Sequence, residues 1–465
     1  MFSRLSAKHR FLLRLMPVFL LALVIRVLCA VPALKEPDRL QRPDSETYLL
    51  PAYALAEDGA INTEPQHNPG VINGVIGSHP AVQRPPGYIV FLAALRLIFG
   101  RSPVAFALAG CLIGALAVFP VGVTGLNLAG RRAGFCAAIL YALNLTALAT
   151  APLILADTLL GFLVAFQAMY LVKAMRTGCL RDFIPGTAFA AAAVLVKPVN
   201  IPVLILLFMT APFLMKTRRK KICAMLLVPL VSAVIIVPWM LRNRSVGAGF
   251  AVDRNSGLTA LHNTAAILAH ANHSDANDVR IRLEYEADME TSQRQVSLQE
   301  REEWYLNRYR EAILEHPWSA AATHLFQVWI LLPDLPDFLQ NLGLRTGERG
   351  TLAVLRRDGP AAAFRHYMDG NYAVAFLAVP FVLIHAALWV LAAAGVWIYA
   401  RRKRWTVLIV FVSPALYYLA AAGPVLMPRY QIPALPFACA MAGAVISVCG
   451  IRRWRKRRSC PQCNP

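Results

Sequence analysis

The sequence predicts an all-α polytopic membrane protein, with about ten helices crossing the bilayer and with extracytoplasmic loops and interfacial helices between them. Three observations carry this. The chain of 465 residues is 57% hydrophobic and only 16% charged, which excludes a polar soluble enzyme, a disordered chain and a disulfide scaffold. Apolar runs of about 20 residues recur along its length, the run needed to span the hydrocarbon of a bilayer. The formal charge of +21 is sorted by position.

Six short basic runs stand at the ends of apolar segments: Arg4 to Arg10, Arg131-Arg132, Lys173 to Arg181, Lys216 to Lys221, Arg401 to Arg404 and Arg452 to Arg458. They hold 23 Lys and Arg, with Asp182 as the acid beside them. The stretch 32–87 has 4 basic and 7 acidic residues, and the stretch 241–371 has 14 and 17. Excess Lys and Arg marks the cytoplasmic side, so the basic runs and both termini are expected there and the two acidic-leaning stretches outside. A nucleic-acid partner is excluded, because the positive charge lies at membrane edges rather than on one face.

The spans follow in order. Residues 11–31 mimic a secretory signal ending at Leu28-Cys29-Ala30, but the apolar run exceeds a signal core and Arg26 interrupts it, so an uncleaved first span is expected. The outer loop 32–87 follows, then the 12-residue run Tyr88 to Phe99, too short to cross and carrying Arg96, which is read as interfacial. Further spans are expected at 103–128, 133–151, 155–173, 183–196, 199–215 and 222–240. After the second outer stretch come 372–400, 405–423 and 430–450. The chain thus divides into a transmembrane module at 1–240, an extracytoplasmic or interfacial segment at 241–371, C-terminal helices at 372–450 and a basic tail at 451–465. The 9 cysteines read as packing residues, and the tail pair Cys460 and Cys463 has neither a second pair nor a His near it.

Within 241–371, Ser297 to Glu300 has capping-box spacing, which starts a helix near Leu298; His316-Pro317 ends it near Glu315. Trp304, Tyr305, Tyr309, Ala312 and Ile313 recur along it at helical spacing and are read as a packing face, with a sugar-binding platform as the alternative. Ala320 to Leu332 is apolar but short and is followed by Pro333-Asp334-Leu335-Pro336, so it is read as re-entrant or interfacial.

Outside the two outer stretches and the cytoplasmic Asp182, one acid is left, Asp157, at the outer turn before the fourth span. A carboxylate among apolar residues there either starts the helix as a cap or marks a functional site. The first outer loop is the densest in chemistry. It opens Pro43-Asp44-Ser45-Glu46-Thr47-Tyr48 and closes Gln83-Arg84-Pro85-Pro86-Gly87-Tyr88. Asp44 in Pro-Asp-Ser can begin a turn or serve as a catalytic carboxylate, and the loop context favours catalysis. The order of these two motifs, then Asp157, Lys197-Pro198, Pro238 to Asn243 and Pro428-Arg429-Tyr430-Gln431-Ile432-Pro433 resembles the membrane glycosyltransferases of the GT-C class. More narrowly it resembles the family of dolichyl-phosphate-mannose protein mannosyltransferases, bacterial aminoarabinose transferases and Rgt-type lipopolysaccharide galacturonosyltransferases. Many members have two adjacent acids in the first loop, where this chain has Asp44-Ser45 and then Glu46.

The resemblance implies a GT-C-like bundle and sugar transfer, with inversion, from a polyprenyl-phosphate donor to a lipid, glycan or protein acceptor at the extracytoplasmic face. It implies Asp44 as the base, because an acceptor hydroxyl needs a carboxylate to take its proton, and Asp157 as its orienting or assisting acid. Arg84, Lys197, Arg242 and Arg429 are the cations to stabilise the departing phosphate. Glu46, Tyr48, Tyr88 and Tyr430 complete the expected substrate-binding set, with Tyr88 also suited to anchoring at the interface. No cofactor is expected to be required; a divalent metal ion is the alternative, with His67, His79 and Glu64 as its candidate ligands, although they match no short metal-ligand spacing. His324 and His385 read as packing residues, and Asn243 and Asn272 open tripeptides of sequon form. The alternative function is a transporter or lipid flippase, against which neither half repeats the other and acids are scarce deep in the spans. Abundant Ala, Arg and Leu with little Lys suggest a bacterial inner membrane, and the resemblance implies a role in the cell envelope, in lipopolysaccharide or protein glycosylation.

Overall fold

A computed structural model of the chain describes residues 7–63, 79–292, 298–325, 328–344, 351–370, 372–424 and 427–447. It is helical apart from one two-residue antiparallel pairing. From the N-terminus come α1 (Ala7–Lys35) and α2 (Glu46–Asp58), then β1 (Asn62–Thr63) paired with β2 (His79–Pro80), and α3 (Pro86–Phe99). The bundle continues through α4 (Pro103–Leu116), α5 (Val118–Ala129), α6 (Arg131–Ala142), α7 (Leu145–Thr150), α8 (Asp157–Thr177), α9 (Leu180–Val194), α10 (Ile201–Leu214) and α11 (Arg218–Ser245). The second outer stretch forms α12 (Ser256–Ala271), α13 (Ala276–Ser292), α14 (Leu298–Glu315), α15 (Pro317–Leu325), α16 (Leu335–Asn341) and α17 (Thr351–Met368). The chain returns in α18 (Tyr372–Arg401), α19 (Trp405–Val407), a π-helical turn, α20 (Ser413–Ala420), a 3-10 helix at Pro428–Ala434 and α21 (Leu435–Ile446).

The described residues form the helical bundle of an integral membrane protein. Among the described residues, 5 helices are long and apolar enough to cross a bilayer: Arg10–Lys35, Pro103–Ala129, Asp157–Thr177, Arg218–Ser245 and Phe376–Arg401. The other expected spans coincide with shorter helices. The segment 133–151 breaks where Asn144 leaves the helix and its side chain accepts the N–H of Ala147 at 3.0 Å, capping α7. The segment 199–215 begins in a 3-10 turn after Lys197, because Pro198 cannot continue the preceding helix. The interfacial run is α3, begun by Pro86 and ended at Gly100 in a positive-φ conformation.

Small residues let these helices approach closely. A Cβ on Gly134 would lie 2.6 Å from the Gly122 carbonyl, and one on Gly125 would lie 2.8 Å from the Ala133 carbonyl. Together with Gly443, these glycines draw α5, α6 and α21 into backbone contact, the packing that substitutes for hydrophobic collapse in lipid. The last helix is thereby seated inside the N-terminal bundle. Arg26 is fully buried in α1, its guanidinium donating to the Ala22 and Ala142 carbonyls at 3.1 Å each.

In the outer segment, Ala260, Leu261, Val279, Leu283, Ala287 and Tyr305 form a separate core between α12, α13 and α14, so the aromatic face of α14 is a packing face. The stretch after α15 is held from below. Gln431 donates to the carbonyls of Ile330 and Leu332 at 3.1 and 2.9 Å, and His385 Nε2 lies 2.9 Å from that of Leu331. The other His385 nitrogen meets Asn144 at 3.0 Å, which makes His385 a buried linking residue. Ser297, Glu64, His67, Cys460 and Cys463 lie outside the described residues.

Candidate active site

Three local devices bring the outer loop onto the helix ends. The Ser45 hydroxyl accepts the Arg42 N–H and donates to the Ile154 carbonyl, each at 2.9 Å, while the Ile154 N–H donates to the Leu40 carbonyl at 2.9 Å. This docks the residues before α2 on the turn that precedes α8, setting Asp44 near Asp157. Gly87 donates its N–H to the Leu195 carbonyl at 2.6 Å, and a Cβ there would lie 2.7 Å from the same oxygen. Only glycine permits that approach, which sets the Arg84 turn beside the end of α9 and Lys197. The 3-10 helix at Pro428–Ala434 adds Arg429, fixed through Gln431 and its bond from Trp389 at 3.1 Å.

The result is a cavity of ≈ 740 Å³ lined by Asp44, Arg84, Asp157, Lys197, Arg429 and Tyr430, and by residues of α12, α14 and α20. Asp44 accepts from Arg84 at 2.8 Å and from Arg429 at 3.3 Å, its side chain remaining 42% exposed. Its carboxylate therefore meets both guanidiniums yet stays open to a substrate. Arg84 also donates to Thr47 Oγ1 at 3.0 Å and lies over the Tyr48 ring. Asp157, at the start of α8, is buried and takes Lys197 Nζ at 2.7 Å, with Arg429 Nε 3.9 Å from its other oxygen. That Nε is buried without a hydrogen-bond partner. Burial opposes the charge of Lys197, but Asp157 and the tyrosines beside it hold its pKa above the usual value. Arg84 is likewise raised, burial being outweighed by Tyr48, Asp44 and Asp253.

Neither acid acts as a cap. Ser45 and Ala156 occupy the N-cap positions of α2 and α8 without side-chain capping bonds, and both carboxylates point to cations instead. Tyr430 lies beneath Lys197 Nζ, 5.2 Å from its ring centre. Tyr48 is buried and packs edge-on against Tyr88 at 5.2 Å; Tyr48 reaches the cavity, whereas Tyr88 lies behind it. Glu46 is exposed in the first turn of α2 and is not part of the lining.

Arg242 is also outside the lining. Its guanidinium donates to the carbonyls of Ala81 and Ile61 at 2.7 Å each and stacks over Trp239, so its donors clamp the ends of the outer loop to α11. Asn243 is buried and donates to the Ala251 and Val252 carbonyls at 2.9 and 3.2 Å, which removes it as a surface sequon.

Sequence reasoning missed Asp253, which lines the cavity near Arg84. Burial lifts its carboxyl to about 7, against the pull of Arg84 and with a further push from Glu302. It stands just before α12, in Asp253-Arg254-Asn255-Ser256, where no sequence motif marks it. Among the described residues, no three His, Cys, Asp or Glu side chains gather where they would hold a metal ion.

Residues 83–241 match the family model for dolichyl-phosphate-mannose-protein mannosyltransferases. That stretch holds Arg84, Asp157 and Lys197, and begins after Asp44. The oligosaccharyltransferase of Archaeoglobus fulgidus, solved with a tethered acceptor peptide containing an NVT sequon, is 14% identical with a TM-score of 0.50 over 96% of this chain and 51% of that one. Its apo form is 13% identical, also with a TM-score of 0.50, over 95% and 51%. ArnT from Cupriavidus metallidurans bound to undecaprenyl phosphate is 13% identical with a TM-score of 0.44 over 97% and 62%. The chain spans about half the length of the archaeal enzyme. Comparison with curated proteins gave no match. The family match and the shared archaeal fold bear out the resemblance to GT-C membrane glycosyltransferases.

Proposed function

We propose that the protein is an inverting glycosyltransferase that moves a sugar from a polyprenyl-phosphate donor to an acceptor at the extracytoplasmic face of a bacterial inner membrane, with both termini in the cytoplasm. One observation carries this reading: an accessible carboxylate, Asp44, held between Arg84 and Arg429 at a large cavity where the buried Asp157–Lys197 pair also ends. Membrane anchoring supports a lipid-linked donor. ArnT was solved with undecaprenyl phosphate, and a related archaeal enzyme with dolichol phosphate; the charged residues here suit such a phosphate on their own chemistry.

In this reading the donor phosphate takes hydrogen bonds from Arg84 and Arg429, which frees the Asp44 carboxylate. The acceptor oxygen attacks the anomeric carbon from the side opposite the phosphate. The new carbon–oxygen bond forms as the old one breaks, the hydroxyl proton passes to Asp44, and the electron pair leaves with the polyprenyl phosphate. Fixed cations, placed before the charge develops, lower the barrier to its departure. Lys197, Asp157 and Tyr430 hold Arg429 and the floor of the site in place. Residues 1–240 with Arg429 supply the chemistry, and 241–371 covers the acceptor side.

The test is Asp44→Asn in the full-length protein, assayed for transfer from a radiolabelled undecaprenyl-phosphate sugar in membranes. Loss of a positioned general base lowers rates by about 10²–10⁴-fold, so transfer should fall by at least about 10²-fold while membrane insertion is unchanged. Unaltered transfer rejects the assignment. Accumulation of unglycosylated acceptor alongside intact donor in the variant would separate this reading from lipid transport.

A further inference from the structure

The charged residues of the cavity come from the first outer loop and the ends of α8, α9 and the 3-10 helix at Pro428–Ala434. A second wall, built by α12 and α14, has different chemistry. Asn255, Thr259, His262 and Asn263 line the cavity at positions i, i+4, i+7 and i+8, and Tyr309 joins them from α14. Gly257, Leu261 and Thr264 are buried and absent from the lining, whereas Ser256, Leu258 and Ala260 share it. The face of α12 toward the cavity thus carries polar side chains interleaved with two apolar ones.

Its hydrogen-bond directions are set by a relay. His324 Nδ1 lies 2.9 Å from the Ala320 carbonyl, which can only accept, so Nδ1 carries the proton and Nε2 is an acceptor. Tyr309 then donates its hydroxyl to Nε2 at 2.9 Å. Asn263 lines the same wall beside Tyr309, its amide opposing the burial that raises the pKa of the Tyr309 hydroxyl. The Thr259 hydroxyl donates to the Asn255 carbonyl at 3.3 Å, leaving its lone pairs available. Burial and Arg280 lower the pKa of His262 and favour its neutral form, with Glu284 opposing them. The wall therefore presents uncharged polar side chains, with Asp253 as the carboxyl at its edge.

Resting on the reading of the site as a glycosyltransferase, we infer that the α12–α14 wall is the acceptor subsite and takes a neutral, hydroxyl-rich carbohydrate whose hydroxyls hydrogen-bond with Asn263 and Thr259. A cationic amino sugar would call for paired carboxylates, and a phosphorylated acceptor for cations, neither of which this wall contains. An extended peptide would call for main-chain partners, whereas the wall offers side chains of a helix.

The test uses the full-length protein in lipid nanodiscs, probed by titration with maltotetraose, a chitosan tetramer and a Ser/Thr-containing peptide. Maltotetraose should bind at least ten-fold more weakly to Asn263→Leu than to wild type, while binding of undecaprenyl phosphate stays the same in both. Thr259→Val, isosteric and on an exposed turn, carries the same expectation should Asn263→Leu fail to insert. Undiminished maltotetraose binding in these variants, no maltotetraose binding to wild type, or a preference for the chitosan tetramer or the peptide would each overturn the inference. Failure of the catalytic reading is seen separately, as transfer that persists in Asp44→Asn.

Discussion

At the scale of single residues, the site is a balance of three carboxyls against three cations in one cavity. Asp44, Asp157 and Asp253 face Arg84, Lys197 and Arg429. Asp253 differs from the other two in making no ion pair among the described residues, and its carboxyl is lifted to about 7 by burial. The unfolded chain would release this proton near the ordinary value of 3.8. Between those values the native state binds more protons than the unfolded one, so this residue's contribution to stability declines as pH rises and levels off above about 7. The melting temperature in detergent should therefore drop between about pH 5 and about pH 8 by more in wild type than in Asp253→Asn. Equal drops in both would show that Asp253 does not titrate in that window.

Much of this cluster was legible in the chain. Asp157 stood out as the one acid left after the outer stretches and Asp182 were set aside, and Asp44, Arg84, Lys197 and Arg429 stood in motifs whose order carried the resemblance. Arg242 stood in such a motif too, yet the structure places it on the carbonyls of Ile61 and Ala81. A sequence shows that a cation is present but not which acceptors occupy it. Asp253 escaped notice for the opposite reason, as one acid among 17 in a stretch without a recognisable motif.

At the scale of elements, hydropathy located the helices and backbone chemistry divided them. Composition makes 133–151 one continuous apolar run, but Asn144 favours a cap over a helix interior and splits it. The start of α14 at Leu298 and its end at Glu315 followed from a capping pattern and a proline, both local signals. By contrast, the close approach of α3 to the end of α9 depends on a contact across more than 100 residues. The sequence contained only a glycine after two prolines. Gly87→Ala tests that contact: the added methyl meets backbone at 2.7 Å, so α3 or the Leu195 turn must shift. Overpacking of this kind costs about 1–3 kcal/mol, and the shift would carry Arg84 away from Asp44. Thermal stability should fall and transfer should fall with it. A variant as stable and active as wild type would show that the approach is slack.

At the scale of the whole molecule, the charge distribution and the cavity make a joint demand on orientation. The outer loop, the ends of α8 and α9 that carry Asp157 and Lys197, and the Arg429 segment converge on one cavity, so they lie on the same side of the bilayer. The opposite ends of the helices carry the basic runs, among them Lys173 paired with Asp182, and Arg401 to Arg404 after α18. In the orientation we propose, which the positive-inside bias supports, those runs lie in the cytoplasm and the cavity outside. The protein carries its own reporter of the inner side: Cys179, exposed between α8 and α9. Asp58, at the exposed end of α2, supplies a site for the outer one. In intact cells a membrane-impermeant maleimide should label Asp58→Cys and leave Cys179 unmodified, and permeabilisation should expose Cys179. The reverse pattern would put Asp44 in the cytosol, where a donor displayed on the outer leaflet could not reach it.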